Sequence, residues 1–193
     1  MSVFTTPILT TLLRWFANVT LMLIGWRVKT EAPKLEKMVL IGAPHTSNWD
    51  FPLMLLVILH LRMDVRWIGK HTLFKQPFNG LMTWLGGRPI ERSQAHNTVS
   101  QMVDIIDKAD QFTLLITPEG TRSKVVHWKT GFYHIAHSAD IPIVLGYIDA
   151  ARKVAGFGPV FIPTGDVESD LREIRKFYSD KHGIRSSLAS DLD

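Results

Sequence analysis

His45 and Asp50 stand five residues apart in LIGAPHTSNWDF (Leu40–Phe51), just past an apolar run that ends in a proline. Unpaired charge is expensive away from water, so these two groups either find a partner or stay solvated. A carboxylate on one ring nitrogen of an imidazole fixes its tautomer and leaves the other nitrogen free as a base. The same spacing also fits a plainer arrangement, with Asp50 complementing a helix dipole and His45 an ordinary loop residue. A lone His-x4-Asp does not choose between them.

Two further stretches carry charge where a turn is expected. In LGGRPIERS, Arg88 and Arg92 share a face if the run is extended. Their planar guanidinium forks suit phosphate, although a solvated surface pair would look the same. In ITPEGTRSK, Gly120 lets the backbone approach a ligand closely. Thr121, Arg122 and the backbone amides are then placed to hold an anion, with Glu119 pairing with an arginine or accepting from a substrate hydroxyl. An ordinary turn uses Pro, Gly and Thr but has no need of Glu and Arg around the glycine. Lys129, just downstream, adds a further positive charge.

Other chemistries are disfavoured. There is no cysteine, hence no disulfide, thiolate zinc site or Cys nucleophile. No G-x-S-x-G occurs. The Gly-Lys of IGKHT lacks the rest of a P-loop. His134 and His137 have no third ligand nearby in sequence, so no metal is expected. Aromatic and basic residues do not interleave as a nucleic-acid face requires. A net charge of +4 nevertheless suits some anionic partner.

The elements that must position these residues follow from periodicity. Met38–Pro44, Val65–Gly69, Phe112–Pro118 and Ile141–Ile148 read as buried strands, with a short candidate at Arg88–Arg92 and an edge strand at VFIPTG, cut short by Pro163. Trp49–Leu61, Asn97–Ala109, Gly131–Ala139 and Asp166–Lys181 read as helices, and a short helix is expected within LFKQPFNGLMTWLGG. Strand alternating with helix predicts an α/β fold: a single domain with a mostly parallel sheet flanked by helices on both faces. Ligands in such folds bind where strands end, and three chemistry-bearing loops, Pro44–Asp50, Gly86–Ser93 and Thr117–Ser123, each follow a strand. Thr46, Ser47 and Asn48 are all good N-cap residues for the next helix, and if Ser47 or Asn48 caps it, Asp50 lies in the first turn.

Ahead of this domain, Pro7–Trp26 is largely apolar but interrupted by Arg14 and Asn18. A spanning helix needs about 20 apolar residues with few charges. Trp15 and Trp26 suit the headgroup zone and Arg27 and Lys29 suit anionic lipid, which predicts a helix lying in one leaflet. The alternative is a core helix docked on the domain. The expected division is a membrane-associating segment over 1–30, the domain over 31–185 and a flexible tail over 186–193.

Taken in order, HTSNWD (His45–Asp50), GRPIER (Gly87–Arg92), TPEGTRS (Thr117–Ser123) and IPIVLGYI (Ile141–Ile148) resemble the ordered motifs of the glycerolipid acyltransferases, typified by lysophosphatidic acid acyltransferases. The resemblance spans Met38 to Ile148; Thr117 stands where the family usually has an aromatic residue, and Arg88 and Pro89 are unusual in the second motif. It implies transfer of a fatty acyl chain from a thioester, acyl-CoA or acyl carrier protein (acyl-ACP), to a hydroxyl of a lysophospholipid. No cofactor is implied beyond that co-substrate. His45 and Asp50 would be catalytic, and Arg92, Glu119, Gly120, Thr121, Arg122 and Lys129 would bind substrate. The implied partners are membrane lipids, the lysophospholipid and the acyl donor, with no nucleic acid; the implied place is the cytoplasmic face of a membrane, held monotopically. A hydrolase using the same His-Asp pair and a non-catalytic lipid-phosphate binder are the competing readings.

Overall fold

The computed structural model describes residues 2–6, 8–90 and 95–190. A seven-stranded sheet runs in the order β1-β7-β6-β2-β5-β3-β4, with β1 at Arg27–Val28, β2 at Lys37–Ala43, β3 at Val65–Lys70, β4 at Gly87–Ile90, β5 at Phe112–Ile116, β6 at Ile143–Asp149 and β7 at Val154–Phe161. Every pairing is parallel except β6 with β7. The near-continuous apolar runs of β2, β5 and β6 follow from this position, since a central parallel strand is covered on both faces.

Side chains of β2 alternate between the two covers. Val39, Ile41 and Ala43 join Leu114, Ile143 and Leu145 under the helices α4 (Ala95–Asp107), α5 (Gly131–Ser138) and α6 (Val167–Tyr178). Met38 and Leu40 face the other way and pack with Ile58 of α2 (Asp50–Leu61), Met63, Trp67 and Val144. This period of two is the direct consequence of strand geometry. A short α3 (Asn79–Trp84) leads into β4.

Helix α1 (Leu9–Leu23) docks on α2, burying Ala17 and Leu21. Arg14, the residue that broke the apolar run, donates from Nε to the carbonyl of His60 at 3.0 Å, in the last turn of α2. A cation there also favours the negative end of the helix dipole. Asn18 shares a 2.6 Å hydrogen bond with Nδ1 of the same histidine. On the opposite side Ile8, Leu12, Trp15, Phe16 and Leu23 form an exposed apolar stripe at helical spacing. Among the described residues no helix is long and apolar enough to cross a membrane.

Two elements depart from the sequence expectation. β7 begins at Val154, is antiparallel to β6, and is not an edge because β1 adds outside it. Its glycines and Pro159 hide it from propensity, and the two residues of β1 are too few for a periodic signal. Further along, Ser186–Leu188 form a 3-10 turn and Ser190 Oγ accepts the N–H of Val125 at 3.1 Å, while 191–193 lie outside the described residues.

Candidate active site

β2 and β5 lie side by side in parallel, with Ile41 opposite Ile116, so the loops leaving their carboxyl ends are neighbours. That register brings the His45 loop against the Glu119 loop across 74 residues of sequence.

Asp50 is the first residue of α2 and only 7 % exposed. Its Oδ2 accepts the backbone N–H groups of Thr46 and Ser47, each at 2.7 Å, and stands 3.0 Å from His45 Nδ1. The acceptor is a carboxylate, so Nδ1 carries the proton and Nε2 presents its lone pair. The His45 side chain keeps 22 % of its surface open. The pair is an imidazole held by a buried carboxylate, on a side chain that stays partly open to solvent. Neither Ser47 nor Asn48 caps the helix: Trp49 is the N-cap residue and makes no side-chain cap bond, while Ser47 Oγ accepts the Trp49 N–H at 3.2 Å. Asp50 reaches back instead, and takes over the bracing of the loop that a Ser or Asn cap would have given.

Glu119 closes the other side of the loop. It is 4 % exposed, and its Oε1 accepts the backbone N–H of His45 at 3.1 Å. Burial pushes its carboxyl up from the usual range; the backbone N–H groups of Glu119 and His45, and then the His45 ring, pull against this, while the Asp50 charge adds to it. Beneath lies Tyr178, fully buried, whose hydroxyl donates to the Gly146 carbonyl at 2.9 Å. Burial, and then the nearby Glu119 charge, hold that phenol well above its ordinary value. Asp50 Oδ1 and Glu119 Oε2 have no hydrogen-bond partner among the described residues.

Gly120 takes φ +62, the left-handed region that favours glycine, and its N–H closes a turn on Thr117 O at 3.1 Å. A Cβ there would lie 3.2–3.4 Å from Cδ, Cε and Nζ of Lys129, so the lysine stem lies across the glycine's bare face. Arg122 donates to Asn48 Oδ1 and is exposed, setting a guanidinium beside the His45 loop. Thr121 is exposed, and its Oγ1 accepts the Ser123 N–H at 3.4 Å. The structure therefore joins His45, Asp50 and Glu119 by direct bonds and sets Gly120, Arg122 and Lys129 around them. Arg92 lies outside the described residues. Arg88 is exposed on β4, which β3 and β5 separate from β2.

The sequence did not point to Asn48 as the tether of Arg122, nor to Thr46 and Ser47 as the N–H donors that steady Asp50. Helix-cap candidates were the only signal at those positions.

A family model described as Acyltransferase matches residues 26–147. The chain is 30 % identical over 141 residues to a 1-acyl-sn-glycerol-3-phosphate acyltransferase of Haemophilus influenzae, covering 68 % of this chain and 57 % of that protein. It thus spans a little over half the length of that curated relative. Its fold is similar to the crystal structure of the 1-acyl-sn-glycerophosphate (LPA) acyltransferase PlsC of Thermotoga maritima, at TM-score 0.59 and 19 % identity over 91 % of this chain and 82 % of that one.

Proposed function

The chain belongs to the acyltransferase family, and from that premise we propose that it moves a fatty acyl chain from a thioester, acyl-CoA or acyl-ACP, to a hydroxyl of a lysophospholipid such as lysophosphatidic acid. The observation that carries this reading is the 3.0 Å contact from His45 Nδ1 to an Asp50 oxygen that two backbone N–H groups already hold. The acceptor hydroxyl gives its proton to Nε2 of His45 as its oxygen attacks the thioester carbonyl. The tetrahedral adduct then collapses, the C–S bond breaks, and the imidazolium returns the proton to the departing thiolate. The products are an ester and a free thiol, and no residue is acylated along the way. Asp50 keeps the ring oriented and steadies its positive charge between the two proton transfers.

The acceptor's phosphate is taken by Arg122 and Lys129 around the Gly120 turn, with Arg92 assigned there on its family motif and Thr121 at the rim. Glu119 holds the His45 backbone in place. The outward stripe of α1 and the exposed Trp49 beside the site favour a monotopic seat in one leaflet of a membrane, with Arg27 and Lys29 toward anionic headgroups on the cytoplasmic face.

The test is purified protein with acyl-CoA or acyl-ACP and a panel of lysophospholipids. Acylated product that forms only with acceptor present is the expected result. Free fatty acid released regardless of acceptor would make the same pair a hydrolase, and binding without turnover would reduce the site to a lipid-phosphate sensor.

A further inference from the structure

Thr46 sits inside the His45–Asp50 loop and is 2 % exposed. Its backbone N–H donates to Asp50 Oδ2 at 2.7 Å, so where Thr46 lies decides where that carboxylate oxygen lies. Its hydroxyl faces the other way and accepts the backbone N–H of Arg185 at 3.0 Å, across 139 residues of sequence. Gly183 presses on the same side chain: a Cβ there would fall 2.5 Å from Thr46 Oγ1 and 2.6 Å from Cγ2, closer than atoms tolerate. Thr46 is thus gripped between Asp50 on one side and the chain at 183–185 on the other.

That chain is itself anchored. The carbonyl of His182 accepts the Ala150 N–H at 2.7 Å, next to the end of β6. Asp149, almost fully buried there, binds the Arg152 guanidinium, which also donates to the Asp180 carbonyl at 3.1 Å. Ile184 packs with Leu21 of α1 and with Leu53 and Val57 of α2. The segment 180–185 is therefore fastened to the sheet at one end and to both N-terminal helices in its middle, and it bears on Thr46.

We propose that Thr46 is a positioning residue, and that the strap at 180–185, through Gly183 and the Arg185 N–H, holds the orientation of the His45–Asp50 pair. The strap lies beyond all four motifs and acts on the loop's geometry. The inference rests on reading His45 as the base. Misplacing a catalytic group by a fraction of an ångström lowers turnover without changing how tightly substrate is held.

Three variants test it in the acyl-transfer assay, beside wild type and His45→Ala. Thr46→Val keeps the volume but cannot accept the Arg185 N–H; Thr46→Ser keeps the hydroxyl; Gly183→Ala inserts the missing Cβ. Thr46→Val and Gly183→Ala are expected to lower kcat roughly 10-fold with KM within about twofold, and Thr46→Ser to recover most of the rate. The proton NMR signal of the carboxylate-bound Nδ1–H of His45 should shift or vanish in the first two variants and persist in the third. Wild-type kcat and an unmoved signal in Thr46→Val would overturn the proposal, and so would a Thr46→Ser enzyme as slow as Thr46→Val. If Gly183→Ala does not fold, the Thr46 pair decides alone. Equal turnover by wild type and His45→Ala would instead strike the base reading, a separate and recognisable failure.

Discussion

Asp50 and Asp170 are both buried carboxylates, 7 % and 4 % exposed, and they use their oxygens differently. Asp170 spreads its capacity: Oδ1 accepts the Thr164 hydroxyl at 2.9 Å, and Oδ2 accepts the Thr164 N–H at 2.7 Å and the Tyr133 hydroxyl at 2.6 Å. It ties α6 to α5 and to the turn before α6, and both oxygens are occupied. Asp50 instead draws two backbone N–H groups and the His45 ring nitrogen onto one oxygen. Its three donors come from one loop, so it holds few parts of the fold together and fixes one ring very closely. One carboxylate ties separate elements together; the other gathers its donors around a single imidazole.

The comparison breaks most readily at His45. Replacing it by Ala is expected to cut turnover by roughly 10² or more while leaving the melting temperature within a few degrees. Asp50→Asn, which keeps the shape but loses the charge, should fall by a similar factor because the ring is no longer steadied when positive. Turnover within threefold of wild type in either variant would remove the pair from the chemistry.

Asp170→Ala should show the reverse. Tyr133 would lose its acceptor in a buried place, and the Thr164 hydroxyl and N–H would lose theirs at an exposed turn, at a cost of about 1–3 kcal/mol in urea unfolding. The kcat of the protein that remains folded should stay within about twofold. A variant of normal stability but slow turnover would mean that this corner is coupled to the site, and the division between the two carboxylates would collapse.

These two carboxylates were not equally visible in the chain. His45 and Asp50 are close in sequence and follow a strand legible from its apolar run, so their meeting needed only a turn. Phe112–Ile116 was legible for the same reason, and with it the place of Glu119. Asp170 looked like one more charge on a surface helix, because Tyr133 lies 37 residues away and no local pattern links them. Arg14 read as a flaw in an apolar segment, since its partner is a carbonyl 46 residues on. The outward stripe of α1 and its docked face come from the same run of residues, so periodicity alone left lipid and protein as rival covers. Short-range patterns gave the central strands β2, β5 and β6 and the motif, but not β1 or the extent of β7. The bonds that join distant backbone to side chain, such as Arg185 to Thr46, leave no trace in composition or spacing.

The smallest expected effect is the sharpest test, because it depends on sign. Asp170 is pulled up by burial, but its hydrogen bonds from Tyr133 and Thr164 outweigh this and leave it below its ordinary 3.8. A depressed carboxyl stabilises the fold above its unfolded value and loses that contribution as pH falls through the lower folded value. Glu119 is displaced the other way, above its ordinary 4.5, chiefly by burial. The folded state therefore holds that proton more tightly than the unfolded chain does. Its contribution is most favourable below 4.5 and is lost as pH rises from there through the folded value. Urea unfolding of wild type, Asp170→Asn and Glu119→Gln across pH 3 to 7 should then give differences that slope in opposite directions. The advantage of wild type over Asp170→Asn should grow with rising pH around 3.8, and that over Glu119→Gln should shrink above 4.5. Parallel slopes would show that Glu119, like Asp170, is settled as a carboxylate by its neighbours. Opposed slopes would mark the end of the sheet beside the His45 loop as the part of the core that carries its charge at a cost to the fold.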